Sequence, residues 1–98
     1  MAQPTQPQYV AETQTLRAIA DDPRCRFLWT EHALVEMAKD GRNAQDIQSA
    51  LTTCHVVLHE QKRDILWRAE CKDIDRNKFT VVVAVNEREI TIKIITTF

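Results

Sequence analysis

The sequence predicts an α+β fold in which two to three helices pack on one face of a four-stranded antiparallel sheet. Up to Leu51, hydrophobic residues recur at helical spacing, and from His55 onward they follow the two-residue period of strands. The connections between the predicted strands are short, which favours antiparallel neighbours. Gly41 is the single glycine, so a nucleotide fold that depends on a Gly-rich phosphate loop is excluded.

Length and composition indicate one small domain of soluble type. Of the 98 residues, 44% are hydrophobic and 28% are charged, as in ordinary globular chains. Residues 1–8 are rich in Gln, Pro and Thr and predict a disordered tail, which leaves 9–98 as a single α+β domain. No apolar run is long enough to span a bilayer, and no signal-peptide pattern occurs. We therefore expect a cytoplasmic protein with no membrane partner.

Three helices are expected before the sheet. Residues 9–20 form the first, which Asp21-Asp22-Pro23 ends because proline disfavours helix in the residue before it. Arg26–Trp29 is short and apolar, and is either a first strand or an extended lead into the second helix. Thr30 caps that helix, and Gly41 ends it. Its predicted apolar stripe consists of Ala33, Leu34, Met37 and Ala38.

The third helix begins at Asn43, where Asp46 three residues later completes a variant capping box, and four strands follow it. The predicted strands are Cys54–Glu60, Asp64–Lys72, Lys78–Val85 and Ile90–Phe98. Residues 81–85 are apolar on both faces, so this strand is expected in the middle of the sheet, covered on both sides. In the last strand, strict alternation predicts Ile90, Ile92 and Ile94 on one face and Thr91, Lys93, Ile95 and Thr97 on the other.

A metal site and a disulfide framework are not expected. The three cysteines are odd in number and contain no Cys-x-x-Cys, which fits a reducing compartment. His55 and His59 share a face of the predicted strand but lie roughly 13 Å apart at about 3.3 Å per residue, too far for one ion. Cys71 lies on the apolar side of its strand, where burial disfavours a nucleophilic thiolate. No cofactor is therefore predicted.

His32 is the residue most suited to catalysis. It lies on the polar face of the second helix, in the first turn, where the positive end of the helix dipole favours the neutral ring that a general base needs. Glu36, one turn later, could orient the ring. The alternative is a solvated surface histidine, which is common for polar side chains.

Basic residues on two strands form a second group of interest. Arg68 projects from one strand face and Lys93 from the last strand, and a meander can bring the two together. The net charge of −1 argues against a generally basic surface but not against a local basic patch. The alternative is a solvated sheet face on which Glu70 pairs with these cations.

The order of motifs resembles a small bacterial family, a domain of unknown function, that is similar to the RelE/ParE and BrnT toxin superfamily. Its members begin with Ser/Thr-x-His-Ala and end with a Val-rich strand followed by Val-Ile-Thr-x-Tyr/Phe, and the resemblance covers about Phe27–Phe98. The matching stretches here are Thr30-x-His32-Ala33, Asp46-Ile47-x-x-Ala50-Leu51, Val81-Val82-Val83-Ala84-Val85 and Ile92-x-Ile94-Ile95-Thr96.

The resemblance implies a RelE-like fold and a toxin-type domain with metal-independent endoribonuclease activity. His32 would then act as base or acid, Arg68 and Lys93 would stabilise phosphate charge, and Thr96 would donate a hydrogen bond. The implied partners are RNA and a cognate antitoxin. The alternative function is a non-catalytic protein-binding module, such as an accessory, antitoxin or immunity protein.

Overall fold

The computed structural model describes residues 9–61 and 65–98 as helices on a twisted sheet. The predicted tail, residues 1–8, lies outside the described residues. In chain order the elements are α1 (Val10–Asp21), β1 (Arg26–Trp29), α2 (Glu31–Lys39), α3 (Ala44–Leu51), β2 (His55–Gln61), β3 (Ile65–Lys72), β4 (Lys78–Asn86) and β5 (Thr91–Thr97). The helical caps are as predicted: the Thr30 hydroxyl accepts the Ala33 amide, and Asn43 and Asp46 form a reciprocal capping box.

The sheet has five strands in the order β1-β5-β4-β3-β2. Strands β2 to β5 form the predicted antiparallel meander. The α+β class is confirmed, but the prediction of a four-stranded, wholly antiparallel sheet is wrong because β1 pairs with β5 in parallel. A parallel neighbour needs a long crossover, and α2, α3 and the three strands after them supply it.

All three helices pack on the same face of the sheet. Leu16 of α1, Met37 of α2 and Ile47 of α3 belong to one buried cluster with sheet residues. The sheet residues of that cluster include Val56, Ala69, Cys71, Phe79, Val81, Val83, Ile92 and Ile94. Because alternate residues of a strand point to opposite faces, this cluster defines a covered face, and the intervening residues define the opposite side.

The opposite side of the sheet, here called the open face, carries Leu66, Arg68, Val82, Ala84, Lys93 and Thr96. Its central residue, Val82, is only 8% exposed although none of the described helices packs on this side. The predicted central position of β4 is confirmed, but among the described residues the helices cover only one of its two faces.

Helix α2 buries a narrower stripe than the spacing of its apolar residues predicts. Ala33 and Met37 are buried, but Leu34 is 50% exposed and Ala38 is also exposed. This helix packs chiefly on β5, near the β1 edge of the sheet. A helix with neighbours on one side only leaves its flanking apolar residues in solvent.

Two β-bulges, one in β2 and one in β5, overturn strict alternation in these strands. Val57 has no partner between the pairs Val56–Ala69 and Leu58–Arg68. The bulge turns His55 and His59 to opposite faces, so their predicted common face is wrong. Ile95 is the second bulge, and beyond it Thr97 lies on the covered face, fully buried opposite Val81. The observed last strand is one residue shorter at each end than the predicted strand, and residue 90 belongs to the preceding turn.

The N-terminal helix α1 closes the outer edge of β2. The Thr13 hydroxyl accepts the Val56 amide at 2.9 Å, and Arg17 Nε donates to the Cys54 carbonyl at 2.7 Å. Both backbone groups therefore point away from β3 and towards α1. These bonds satisfy edge groups that would otherwise be open to another strand.

Candidate functional site

The open face brings three of the four predicted site residues onto one surface. Arg68 pairs with Val82 across β3 and β4, and Val82 pairs with Thr96 across β4 and β5. Arg68 and Thr96 therefore flank Val82 in one row. Lys93 pairs with Ala84, two residues along β4 from Val82, and is the next β5 residue on this face because Ile95 bulges.

Arg68 is held between an aromatic ring and a carboxylate. Its guanidinium carbon lies 5.5 Å from the centre of the Phe98 ring, and its Nε lies 3.5 Å from Glu60 Oε1. The Arg68 side chain is still 44% exposed and Phe98 is 57% exposed. The arrangement offers a cation and a flat apolar ring side by side to solvent, which suits a phosphate next to a base.

Lys93 adds an available positive charge to the same surface. It is exposed, and within the described residues it has no acidic partner within ion-pair distance. Two other cations on the sheet are paired: Lys78 lies 3.9 Å from Glu70, and Arg26 lies 3.9 Å from Glu89. The predicted partner of the basic group, Glu70, therefore pairs with Lys78 rather than with Arg68.

His32 lies on the helical side, but its helix turn is fastened to β5 beside Thr96. The Thr30 amide donates to the Ile94 carbonyl at 3.1 Å, and the Thr30 hydroxyl donates to the Ile95 carbonyl at 2.6 Å. The bulge at Ile95 thus anchors the start of α2. His32 is exposed, as predicted, two residues beyond this anchor.

No hydrogen bond or ion pair among the described residues joins His32 to the three open-face residues. The structure therefore defines two adjoining parts, an open-face group of Arg68, Thr96 and Lys93 and a histidine on the neighbouring helix turn. A substrate that reaches from one to the other would pass the end of β5, where β1 has already ended at Trp29.

Sequence reasoning missed two members of the open-face group, Phe98 and Glu60. Phe98 follows the last strand, and its backbone pairs with Thr80 at 2.7 and 2.9 Å, which fixes the ring over the sheet. Only the bulge places it there, and no sequence signal marked the bulge. Glu60 is a half-buried acid on β2, and its pairing with Arg68 depends on the β2–β3 register.

The remaining reactive side chains lie elsewhere. Within the described residues no group of three His, Cys, Asp or Glu side chains could hold a metal ion. Cys54 and Cys71 are buried, and the hydrogen bond with Cys54, together with burial, raises the pKa of Cys71. His55 accepts a 3.0 Å hydrogen bond from Arg17 beside a cavity of ≈ 840 Å³ between α1 and β2. No described helix is both long and apolar enough to cross a bilayer.

Fold and site together define a small α+β domain with three helices on one sheet face and a cationic, partly aromatic opposite face. The family model described as "Domain of unknown function (DUF4258)" matches residues 29–98, and the chain belongs to this family. The predicted membership in a domain-of-unknown-function family is thus confirmed. No curated protein matches the chain, and no solved structure matches it. His32, Arg68, Lys93 and Thr96 all lie within the family region, whereas α1 lies outside it.

Proposed function

We propose that this chain is a toxin-type domain that binds RNA on its open face and cleaves it as a metal-independent endoribonuclease. The observation that carries the proposal is the exposed Arg68–Phe98 pair on the same sheet face as Thr96 and Lys93. Arginine and an aromatic ring side by side suit single-stranded RNA, because one takes the phosphate and the other stacks on a base. The relation to RelE-like toxins is part of this proposal.

A net charge of −1 accords with recognition through this local cluster rather than through a broad basic surface. Arg68 and Lys93 supply positive charge at two points on the same face, and Thr96 follows directly after Ile95, whose carbonyl anchors α2. Contacts to the phosphates position the RNA strand. Stacking on Phe98 holds one base apart from its neighbours in the RNA. This combination favours a short, unpaired segment of RNA over a duplex.

The proposed chemistry is attack by a ribose 2′-hydroxyl on the adjacent phosphate. His32 takes the proton from that hydroxyl or gives one to the departing 5′-oxygen. Arg68 and Lys93 stabilise the added negative charge on the phosphate oxygens, and the Thr96 hydroxyl donates a hydrogen bond to them. The products are a 2′,3′-cyclic phosphate end and a free 5′-hydroxyl end.

Incubation of the purified chain with single-stranded RNA in EDTA tests this activity. The proposal predicts cleavage with 2′,3′-cyclic phosphate ends, and a His32→Ala variant slower by about 10²–10⁴. His59→Ala is the matched control, because His59 is also an exposed histidine but lies on β2. Full activity in His32→Ala would assign the proton transfer to another group. Absence of cleavage on free RNA and on translating ribosomes would refute the enzyme.

A non-catalytic protein-binding module is the second function, and exposed apolar residues near β1 favour it. Leu28 is 50% exposed on β1, and Leu34 and Val35 are 50% and 47% exposed on α2. Large apolar side chains exposed to solvent on neighbouring elements are typical of a partner surface. Substitution of Leu34 and Val35 by serine separates the two functions: a binding module loses its partner, whereas the ribonuclease keeps its rate on free RNA.

A further inference from the structure

Two buried cysteines face each other at the end of the β2–β3 hairpin that is remote from its turn. The register pairs His55 with Glu70 and Val56 with Ala69, so the next residues, Cys54 and Cys71, are opposite one another. The Cys54 carbonyl and the Val56 amide both bond to α1 rather than to β3. Cys54 and Cys71 therefore occupy a position without hydrogen bonds between the two backbones.

Such a position holds opposite side chains closest together. The Cα atoms of a non-hydrogen-bonded antiparallel pair are about 4.5 Å apart, which falls within the range of about 4.4–6.8 Å that disulfides span. Both thiols are on the covered face and are 1% and 2% exposed. The two cysteines are thus placed to be joined without movement of the strands.

A cavity leads to this pair from the surface. It has a volume of ≈ 840 Å³, and its lining includes Arg17 and Thr13 of α1, Val56 of β2 and Cys71. Because Cys71 lines the cavity, a small uncharged molecule in the cavity reaches Cys71, and Cys54 lies opposite Cys71 in the strand register.

The two thiols differ in their surroundings. Hydrogen bonding with Cys71 lowers the pKa of Cys54, and the positive charge of Arg17 acts in the same direction against the effect of burial. Hydrogen bonding with Cys54 and burial both raise the pKa of Cys71. In its neutral form Cys54 also donates to the Leu51 carbonyl at 3.2 Å, and ionisation gives up that bond. Cys54 is therefore the thiol that ionises first.

We propose that Cys54 and Cys71 form a peroxide-reactive dithiol that closes to a disulfide inside the folded domain. The Cys54 thiolate attacks one peroxide oxygen, the O–O bond breaks, and hydroxide leaves to give a sulfenic acid on Cys54. The Cys71 sulfur then attacks the Cys54 sulfur, and the second oxygen leaves as water. In sum, two thiols and one hydrogen peroxide give one disulfide and two water molecules.

The test is mass spectrometry of the full chain after treatment with hydrogen peroxide and alkylation under denaturing conditions. The expected product carries one alkyl group, on Cys25. Its mass is two hydrogens below that of a fully reduced chain with one alkyl group, and its digest yields a peptide that links Cys54 to Cys71. In Cys71→Ala, dimedone should trap a sulfenic acid on Cys54. In Cys54→Ala, Cys71 should give neither a disulfide nor a dimedone adduct.

Cys25→Ala is the matched control, because Cys25 is the remaining thiol and lies before β1; its disulfide yield should equal that of the wild type. Alkylation of both Cys54 and Cys71 after peroxide treatment, or oxidation confined to Cys25, would overturn the proposal. The wild-type result decides the matter even if an alanine variant fails to fold, and circular dichroism identifies such a failure. Ribonuclease activity plays no part in the readout, so the two proposals fail separately.

Discussion

Replacement of Arg68 by alanine separates a functional role of this side chain from a structural one. The structural losses are small. An exposed ion pair such as Arg68–Glu60 contributes about 0–1 kcal/mol, and an exposed cation–π contact such as Arg68–Phe98 contributes about 0.5–1 kcal/mol. With Arg68 44% exposed, we expect the free energy of unfolding to fall by no more than about 1–2 kcal/mol, which leaves the domain folded.

The functional loss is larger if Arg68 meets the charge that develops on the phosphate. Removal of one group that stabilises such a charge lowers kcat by about 10²–10³. Arg68→Lys should recover part of the rate, because it retains the charge but not the planar fork of donors. Urea unfolding measures the first quantity for each variant, and initial rates of RNA cleavage in EDTA measure the second.

Glu60→Gln is the control that tests the reasoning. It removes the ion pair from the other side but leaves the Arg68–Phe98 contact in place, so loss of the ion pair should lower the free energy of unfolding by about 0–1 kcal/mol. Its effect on RNA binding should be opposite, because a negative charge leaves the open face and Arg68 is retained. If Glu60→Gln and Arg68→Ala lower cleavage equally, Arg68 acts through the ion pair and the phosphate role is refuted.

Three further predictions concern the fold. Val83→Asp should unfold the domain, because an unpaired charge at this fully buried position costs several kcal/mol against a total stability of about 5–15 kcal/mol. Val57→Asp is the control, and at its 46% exposed position it should leave the thermal midpoint nearly unchanged. Equal thermal midpoints for the two variants would contradict the central place of β4. The backbone N–H of Asn77 donates a hydrogen bond to the Asp73 carboxylate, and this bond is the main cause that lowers the pKa of that carboxyl. The carboxylate therefore stabilises the fold above the unfolded-state pKa of about 4. This stabilisation is lost as the pH falls through the lower pKa of the folded state. Asp73→Asn should therefore lower the free energy of unfolding at pH 7 and weaken its decline in acid, as urea titrations from pH 7 to pH 2 will measure; an unchanged acid limb would contradict this. Ile90 has φ +49°, a left-handed conformation that costs a β-branched residue about 1–2 kcal/mol. Ile90→Gly should therefore raise the urea midpoint. A lower midpoint would mean that the half-buried Ile90 side chain stabilises the fold by more than its backbone strain destabilises it.

Local signals in the sequence predicted the helices and most of the strand faces. Thr30, Asn43 and Gly41 mark helix ends through short-range hydrogen bonds and backbone preference, which act within a few residues. Alternation in residues 65–72 correctly separated Ala69 and Cys71 from Arg68, because β3 has a neighbour on each side and no bulge against β4. Such features depend on neighbours in sequence and are therefore readable there.

The errors concern contacts between distant parts of the chain. Parallel pairing of β1 with β5 joins residues about two-thirds of the chain apart, for example Trp29 and Ile94. At the bulge, the Ile95 carbonyl accepts a hydrogen bond from the distant Thr30 hydroxyl. No residue near Ile95 in the sequence indicates that a bulge forms there. That one bulge decides that Thr97 is buried and that Thr96 lies on the open face.

The site was predictable to the same extent as the fold. Arg68 and Lys93 were identified because they stand at polar positions of alternating strands. Phe98 was not assigned to the site, since its place depends on the bulge and on pairing with Thr80. The distance between His32 and the open face also depends on how α2 is anchored, which is a property of the fold and not of the local sequence.

Photo-crosslinking of a short single-stranded RNA to the full chain, with the modified residues mapped by mass spectrometry, tests the central claim most directly. A ribonuclease that uses the open face should crosslink at Phe98 and its neighbours on β5, and Arg68→Ala should weaken the crosslink while His59→Ala does not. Crosslinks confined to α1 and α3, or none above those of an unrelated acidic protein, would contradict the assignment of this face to RNA.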